Sequence, residues 1–286
     1  PQPCPMVTAM SQIEATPLSP LLGARITGCS LKNGITGAEA ETLRRLLRTH
    51  YLLVFHEPDL DAEAHVRFVG LFGTVRGSLN DGRPYSMVTA GVDEGIGYHA
   101  DFSFTRVPLP VVSLWGDEVA GDGVAATGFI NVVRLCAALP ASLRERVAGR
   151  TVFHASDIVD VGQRSVQRLS RADVDRRAVA CCGTSHPAIL AHPGSGEEIL
   201  FFNEYLSVAI DGMAPAESDR LLEDIFAYLY TPQNIYTHRW QPGDLIIFDN
   251  LALQHCRTAG ARRLLRRVIV SEPPLADIMP SRLMHA

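Results

Sequence analysis

Three stretches of the chain carry apolar residues at helical intervals, and the rest of its apolar content falls in short blocks bounded by glycine and proline. Thr36-Gly37-Ala38-Glu39 has capping-box spacing and leads into Leu43, Leu46 and Leu47, which predicts a helix. Tyr51 to Phe55 then reads as a buried strand, and a second helix is predicted from Asp61 to about Phe72. Pro215 can open a third helix, with Leu221, Leu222, Ile225 and Leu229 on one face. The short blocks read as strands at Val111–Leu114, Ala126–Ile130, Thr151–His154, Ile189–Ala191, Ile199–Phe202, Leu245–Phe248 and Leu265–Val270. Helices, many strands, one helix and further strands make an α+β arrangement with a double-layered sheet core.

Composition narrows the function classes. The 286 residues are 47% hydrophobic, enough for a sizeable core without disulfides, and no repeat or low-complexity linker divides them, so a single domain over 1–286 is expected. A net charge of −5 offers no basic field for nucleic acid or an anionic membrane. No apolar run approaches the roughly 20 residues of a membrane span, and Pro1 to Met10 lacks the order of a signal peptide, so a cytoplasmic protein is expected. The six cysteines contain no CxxC pair, which argues against a disulfide scaffold and a thiolate zinc site.

Candidate chemistry begins at Gly97-Tyr98-His99-Ala100-Asp101-Phe102-Ser103-Phe104, where an imidazole and a carboxylate stand two residues apart in a strand-like run and so point to one face. With ten histidines, such a spacing is expected about half the time by chance at an aspartate frequency of roughly 5%; the bland reading is a hydrogen-bonded pair. The far end of the chain raises the case, because Leu245 to Asn250 leads to His255 and then to Arg262-Arg263-Leu264-Leu265-Arg266-Arg267. Two neutral histidines and one carboxylate make the facial triad of non-heme Fe(II) oxygenases, which leaves positions for a bidentate co-substrate and O₂. A 2-oxo acid chelating iron needs a guanidinium for its distal carboxylate, and Arg263 and Arg267 are candidates. A solvated strand edge is the alternative for four arginines in six residues, and the apolar neighbours argue against it.

These stretches together resemble the taurine/2,4-dichlorophenoxyacetate dioxygenase family of Fe(II)/2-oxoglutarate enzymes. The resemblance rests on Tyr98 to Phe104, on Thr127-Gly128-Phe129, on Leu200 to Glu204, on Trp240 to Asn250, and on His255 with Arg263 to Arg267, in that order along nearly the whole chain. It implies His99, Asp101 and His255 as iron ligands, Thr127 and Arg263 as partners of the 2-oxoglutarate distal carboxylate, and Arg267 beside the co-substrate. It also implies a double-stranded β-helix (jelly roll) core with flanking helices, and Fe(II), 2-oxoglutarate and O₂ as cofactor and co-substrates.

Departures from the family pattern point at the substrate. Tyr98 replaces the usual tryptophan, Gly121 to Thr127 lacks the tight Gly-Gly-Asp-Thr of many members, and the region after Gly73 lacks the histidine and tyrosine that grip a sulfonate, which makes taurine a poor candidate. Tyr98, Phe104, Tyr205 and Leu206 suggest an apolar pocket, with Arg76 or an arginine of a lid at about 157–180, such as Arg164 or Arg168, as anchor for a carboxylate. A solvated loop is the other reading of that segment. A metal role is not expected for His154, and His56, His65, His186, His192 and His238 are expected at the surface or in loops. The expected reaction is hydroxylation, desaturation or oxidative cleavage of a small carboxylate-bearing molecule such as an amino-acid derivative or aryl acid, with release of succinate and CO₂. Halogenation is disfavoured by Asp101. A zinc hydrolase on the same three ligands and a non-catalytic jelly-roll binding protein are the rival classes, and a homo-oligomer is left open.

Overall fold

A computed structural model describes residues 13–78, 81–90, 95–119, 125–156, 169–176, 182–260 and 262–278. The first helix, Gly37–His50, starts where the capping box stands: the Thr36 hydroxyl accepts from the Glu39 N–H while the Glu39 carboxylate accepts from the Thr36 N–H. Leu43, Leu46 and Leu47 face the core. The second helix, Ala62–Val69, is capped by the Asp61 carboxylate, which accepts from the Ala64 N–H at 2.7 Å, and runs out as a 3₁₀ turn to Phe72. The third expected helix is Pro215–Leu229, with Leu221, Leu222, Ile225 and Leu229 buried.

Two sheets carry the architecture. The larger runs Glu14–Pro17, Ala24–Thr27, Leu52–His56, Asp244–Asp249, Val111–Val119, Arg263–Val270 and Val75–Arg76 in spatial order, and Ser86–Ala90 also pairs with the Arg263–Val270 strand. Its pairings are antiparallel except that of Ala24–Thr27 with Leu52–His56, which is parallel because the first helix forms the crossover between them. The smaller sheet is antiparallel, in the order Tyr236–Arg239, Ala126–Asn131, Leu253–Arg257 and Ile96–His99.

Strand alternation sorts the apolar residues into three packed layers. Leu52, Val54, Val112, Leu114, Ile246, Phe248, Leu265 and Ile269 of the large sheet meet Phe129 and Leu253 of the small one in the central layer. The intervening residues Leu53, Phe55, Leu245, Ile247, Val268 and Val270 pack outward against Leu43, Leu46 and Leu47 of the first helix and Phe68 of the second. Both faces of the large sheet are therefore covered, which is why its strands read as continuous apolar runs. Behind the small sheet, Ile130 and Tyr98 pack with Leu221, Leu222 and Ile225 of the third helix.

Several expectations need correction. Val132–Ala137 and Ala141–Val147 are helices, started respectively by the Asn131 side chain accepting from the Arg134 N–H and by Pro140; the β-branched Val132-Val133 pair hides the first of them in the sequence. Phe201 and Phe202 lie beyond the end of the Glu198–Leu200 strand. His65, His186 and His238 are buried rather than at the surface, each in contact with a core partner: Ser113 for His65, the Thr105 carbonyl for His186 and Asp244 for His238. Of the expected lid, Arg164 and Arg168 lie outside the described residues, while Arg171–Arg176 forms a short helix.

Candidate active site

His99 closes the Ile96–His99 strand and His255 lies directly opposite it in Leu253–Arg257, with their ring centroids 4.4 Å apart. The register of that pairing slips between His255 and Arg257, a bulge of the kind that re-aims side chains next to functional sites. Asp101 is not in the strand, as its spacing suggested, but in the turn that follows, where Phe102 has a left-handed φ of 60°. The turn nevertheless delivers its carboxylate to the same face: Asp101 Oδ1 is 3.4 Å from His99 Nε2 and 3.9 Å from His255 Nε2. One ligand atom of each residue lies within 4.8 Å of the others, and among the described residues no other group of three His, Cys, Asp or Glu side chains does so.

The donor set suits a divalent metal. His99 Nδ1–H donates to the Gly97 carbonyl at 2.8 Å, which selects the tautomer whose Nε2 lone pair faces the cluster. His255 is buried among Phe129, Phe248 and His99, and burial followed by the His99 charge lowers its pKa to about 3, so it is neutral at any ordinary pH. Burial alone would raise the Asp101 carboxyl, but Arg267, the His99 hydrogen bond and His255 outweigh it and hold the group ionised, well below the usual carboxylate range. Arg267 Nη1 donates to Asp101 Oδ2 at 2.9 Å. One imidazole held neutral by burial, a second whose Nδ1 is engaged by a backbone carbonyl, and one carboxylate face the same small space.

Beside this cluster is a buried cation. Arg263, Leu265, Arg267 and Ile269 alternate onto the inner face of the large sheet, whereas Arg266 points outward, stacks 4.3 Å over Trp115 and donates to His65, and Arg262 is exposed. Arg263 is 6% exposed, donates from Nη1 to the Ala126 carbonyl at 2.6 Å and to Thr127 Oγ1 at 3.3 Å, and forms no ion pair with a carboxylate among the described residues. Burial, then repulsion from Arg257, lowers its pKa to about 10. Trp240 Nε1–H also donates to Thr127 Oγ1, at 2.9 Å. A hydroxyl that accepts from both an indole and a guanidinium must aim its own hydrogen at a further acceptor, so Arg263 and Thr127 can offer two donors to an anion. Trp240 begins the family-like stretch Trp240 to Asn250, but its hold on Thr127 depends on a strand pairing that the sequence does not display.

The expected substrate residues divide. Tyr205 lies with its ring edge to His99, centroids 5.7 Å apart, and Phe104 and Leu206 are buried in the central layer. Tyr98 points the other way: strand alternation turns its ring behind the small sheet, stacked on Tyr230 at 4.7 Å with Cys256 and Gly128 beside its hydroxyl. Arg76 pairs with the outer end of the last strand, and its guanidinium donates to the Ser271 and Glu272 carbonyls, so it is already engaged where an anion anchor was expected.

Fold and relatives together define an α-ketoglutarate-dependent dioxygenase. The chain belongs to the family described as taurine catabolism dioxygenase TauD, TfdA, whose profile matches residues 14–269. It is similar to pentalenolactone F synthase of Streptomyces arenae, 29% identical over 90% of this chain and 95% of that protein. It is also similar to the α-ketoglutarate-dependent 2,4-dichlorophenoxyacetate dioxygenase of Cupriavidus pinatubonensis, 24% identical over 89% and 96%. In fold it is like the crystal structure of a taurine dioxygenase from Burkholderia xenovorans, with a TM-score of 0.73 over 90% of each chain at 24% identity. The protein is thus an oxidoreductase that uses Fe(II), 2-oxoglutarate and O₂. No helix among the described residues is long and apolar enough to cross a membrane.

Proposed function

We propose that the chain hydroxylates, desaturates or oxidatively cleaves a mid-sized, largely apolar carboxylate such as an aryl acid or an amino-acid derivative, at a metal held by His99, Asp101 and His255 on a jelly-roll core. The observation that carries this reading is the buried Arg263–Thr127 pair beside two histidines and a carboxylate. Zinc hydrolysis needs no such pair; a dicarboxylic co-substrate does.

In this reading each side chain has a defined task. Iron, when bound, supplies the activation of O₂ coupled to decarboxylation of 2-oxoglutarate to succinate and CO₂. His99 and His255 offer Nε2 lone pairs, and Asp101 offers an oxygen while its other oxygen accepts from Arg267. Arg263 and Thr127 bind the distal carboxylate of 2-oxoglutarate, which orients the co-substrate toward the metal. Arg267, on the same face four residues on, adds positive potential beside the co-substrate. Phe129 and Phe248 keep the His255 side of the site dry.

Tyr205, Phe104 and Leu206 are the substrate contacts in this proposal, with Arg164 or Arg168 as the carboxylate anchor. The names of the relatives support an apolar substrate, since an aryloxyacetate and an (S)-phenoxypropionate dioxygenase are among them. The test is a panel of aryloxy acids, N-modified amino acids, terpenoid acids and taurine, scored by substrate-stimulated succinate release and mass spectrometry of the product. Turnover of an apolar carboxylate, reduced in Tyr205→Ala, is expected. Efficient turnover of taurine alone would overturn the proposal.

A further inference from the structure

The turn that carries Asp101 has little regular structure to hold it: the strand ends at His99, and Phe102 takes a left-handed conformation three residues later. Three of its backbone polar groups are nevertheless met by side chains from two distant segments. Asn250 Oδ1 accepts from the Asp101 N–H at 2.8 Å, and Asn250 Nδ2 donates both to the Asp101 carbonyl at 3.0 Å and to the Leu109 carbonyl at 2.9 Å. Asn203 Oδ1 accepts from the Ala100 N–H at 2.6 Å. Behind it, the Asn203 N–H donates to Ser207 Oγ at 2.8 Å, and both Asn203 Nδ2 and Ser207 Oγ lie 3.3 Å from His154 Nδ1. All four side chains are fully buried. Buried amides are costly unless paired, and here the pairing of the two carboxamides falls on three consecutive peptide groups, those on either side of Ala100 and Asp101.

We propose that Asn203 and Asn250 are positioning residues for the metal site: the two buried carboxamides clamp the backbone of Ala100 and Asp101, so that the Asp101 carboxylate meets His99 and His255. The inference rests on the metal reading given above. Each asparagine acts through the peptide, not on the metal. Asn250 follows directly on the Asp244–Asp249 strand of the large sheet, and Asn203 comes from the segment between Glu198–Leu200 and Ser207–Ile210. The turn is therefore referenced to two separate parts of the fold, and its third ligand is placed by tertiary contacts rather than by strand geometry. Outer partners of this kind are worth about 10- to 100-fold in metal affinity.

The experiment is titration of Co(II) into the metal-free full-length protein, read by its visible absorption spectrum, with thermal unfolding measured on the same samples. Asn250→Ala and Asn203→Ala are each expected to weaken Co(II) binding at least tenfold and to change the shape of the visible spectrum. Asn131→Ala serves as the structural control, because Asn131 is a buried asparagine that caps a helix away from the turn. It should lose stability and bind Co(II) as the wild type does. Wild-type affinity and spectrum in a folded Asn250→Ala or Asn203→Ala protein would overturn the clamp, as would equal weakening in Asn131→Ala. If neither of the two variants folds, the amides are general props of the core and the proposal fails. His255→Ala separates the two levels: loss of Co(II) there, with wild-type binding in the asparagine variants, sinks only the clamp, whereas wild-type binding in His255→Ala sinks the metal reading and the clamp with it.

Discussion

Arg263 differs from its three arginine neighbours in where its charge is left. Arg267 has Asp101, Arg266 has Trp115 and backbone carbonyls, and Arg262 has solvent, while Arg263 is buried against a carbonyl and a hydroxyl. Such a group binds an anion strongly because its desolvation cost is already met by the fold. Arg263→Lys keeps the charge but loses the planar fork, so the KM for 2-oxoglutarate should rise by about 30-fold or more, with the KM of the primary substrate moving less. Steady-state kinetics with each substrate varied in turn checks this, and an unchanged 2-oxoglutarate KM would shift the role to Arg267; Arg266 is excluded because it lies on the other face of its strand. His255→Ala should abolish tight Fe(II) binding while the far-UV circular dichroism stays that of the wild type. At this scale the residue types were legible in the sequence: His99, Asp101 and His255 lie together, and Thr127 lies against Arg263. What was not legible is which way a side chain faces. Tyr98 and Arg76 were misplaced because strand phase and edge pairing, not residue type, decide that.

The four-stranded sheet is the element that holds the site, and its two faces have different duties. Phe129, His255 and His99 form a row across three strands on the inner face, whereas Gly128 and Cys256 alternate to the back against Tyr98. A Cβ at Gly128 would stand 2.6 Å from the Tyr98 hydroxyl and 2.8 Å from Cys256 Sγ, so the back of the sheet has no room for a methyl group. Gly128→Ala should therefore destabilise the protein by about 1–3 kcal/mol and, by displacing the strand, weaken Co(II) binding; Tyr98→Phe, which removes the hydroxyl, should restore part of both. Denaturant unfolding and metal titration of the single and double variants measure this, and a Gly128→Ala protein as stable as wild type would contradict the packing. Thr36→Ala is the contrasting case. Loss of that cap should cost about 1 kcal/mol, seen in the urea midpoint, and leave metal affinity untouched because the first helix packs on the outer face.

On the scale of the whole molecule, burial of neutral histidines ties stability to pH. Burial, followed by Arg266 for His65 and by His186 for His154, lowers both pKa values to about 3. In the unfolded chain they titrate near 6.5, so between about pH 3 and 6.5 the unfolded state binds protons that the folded state refuses. Their contribution is fully present above about pH 6.5 and is lost as pH falls, by up to about 1.4 kcal/mol per pH unit for each group. Urea midpoints should hold from pH 7.5 to about 6.5 and drop from there to pH 5, less steeply in His65→Gln; a flat profile down to pH 5 would show that these imidazoles are not held neutral.

The elements with strong local signals were determined by the sequence alone: the capped helices at Gly37–His50 and Ala62–Val69, the amphipathic Pro215–Leu229 helix, and the apolar strands that both sheets share. The residue types proposed for the site, two histidines, an aspartate and an arginine, were readable there too, but not their meeting. Tertiary structure alone decided three things. It set strand phase, which puts Arg263 and Arg267 inside and Arg266 outside. It paired the strands that bring Trp240 to Thr127 and His255 to His99. It also placed Asp101, which no strand carries and two asparagines, 103 and 149 residues away in sequence from the groups they hold, secure. The physical reason is range: caps and hydrophobic period act within a few residues, while the direction of a carboxylate in a turn depends on donors and acceptors that only a closed fold can bring within 3 Å.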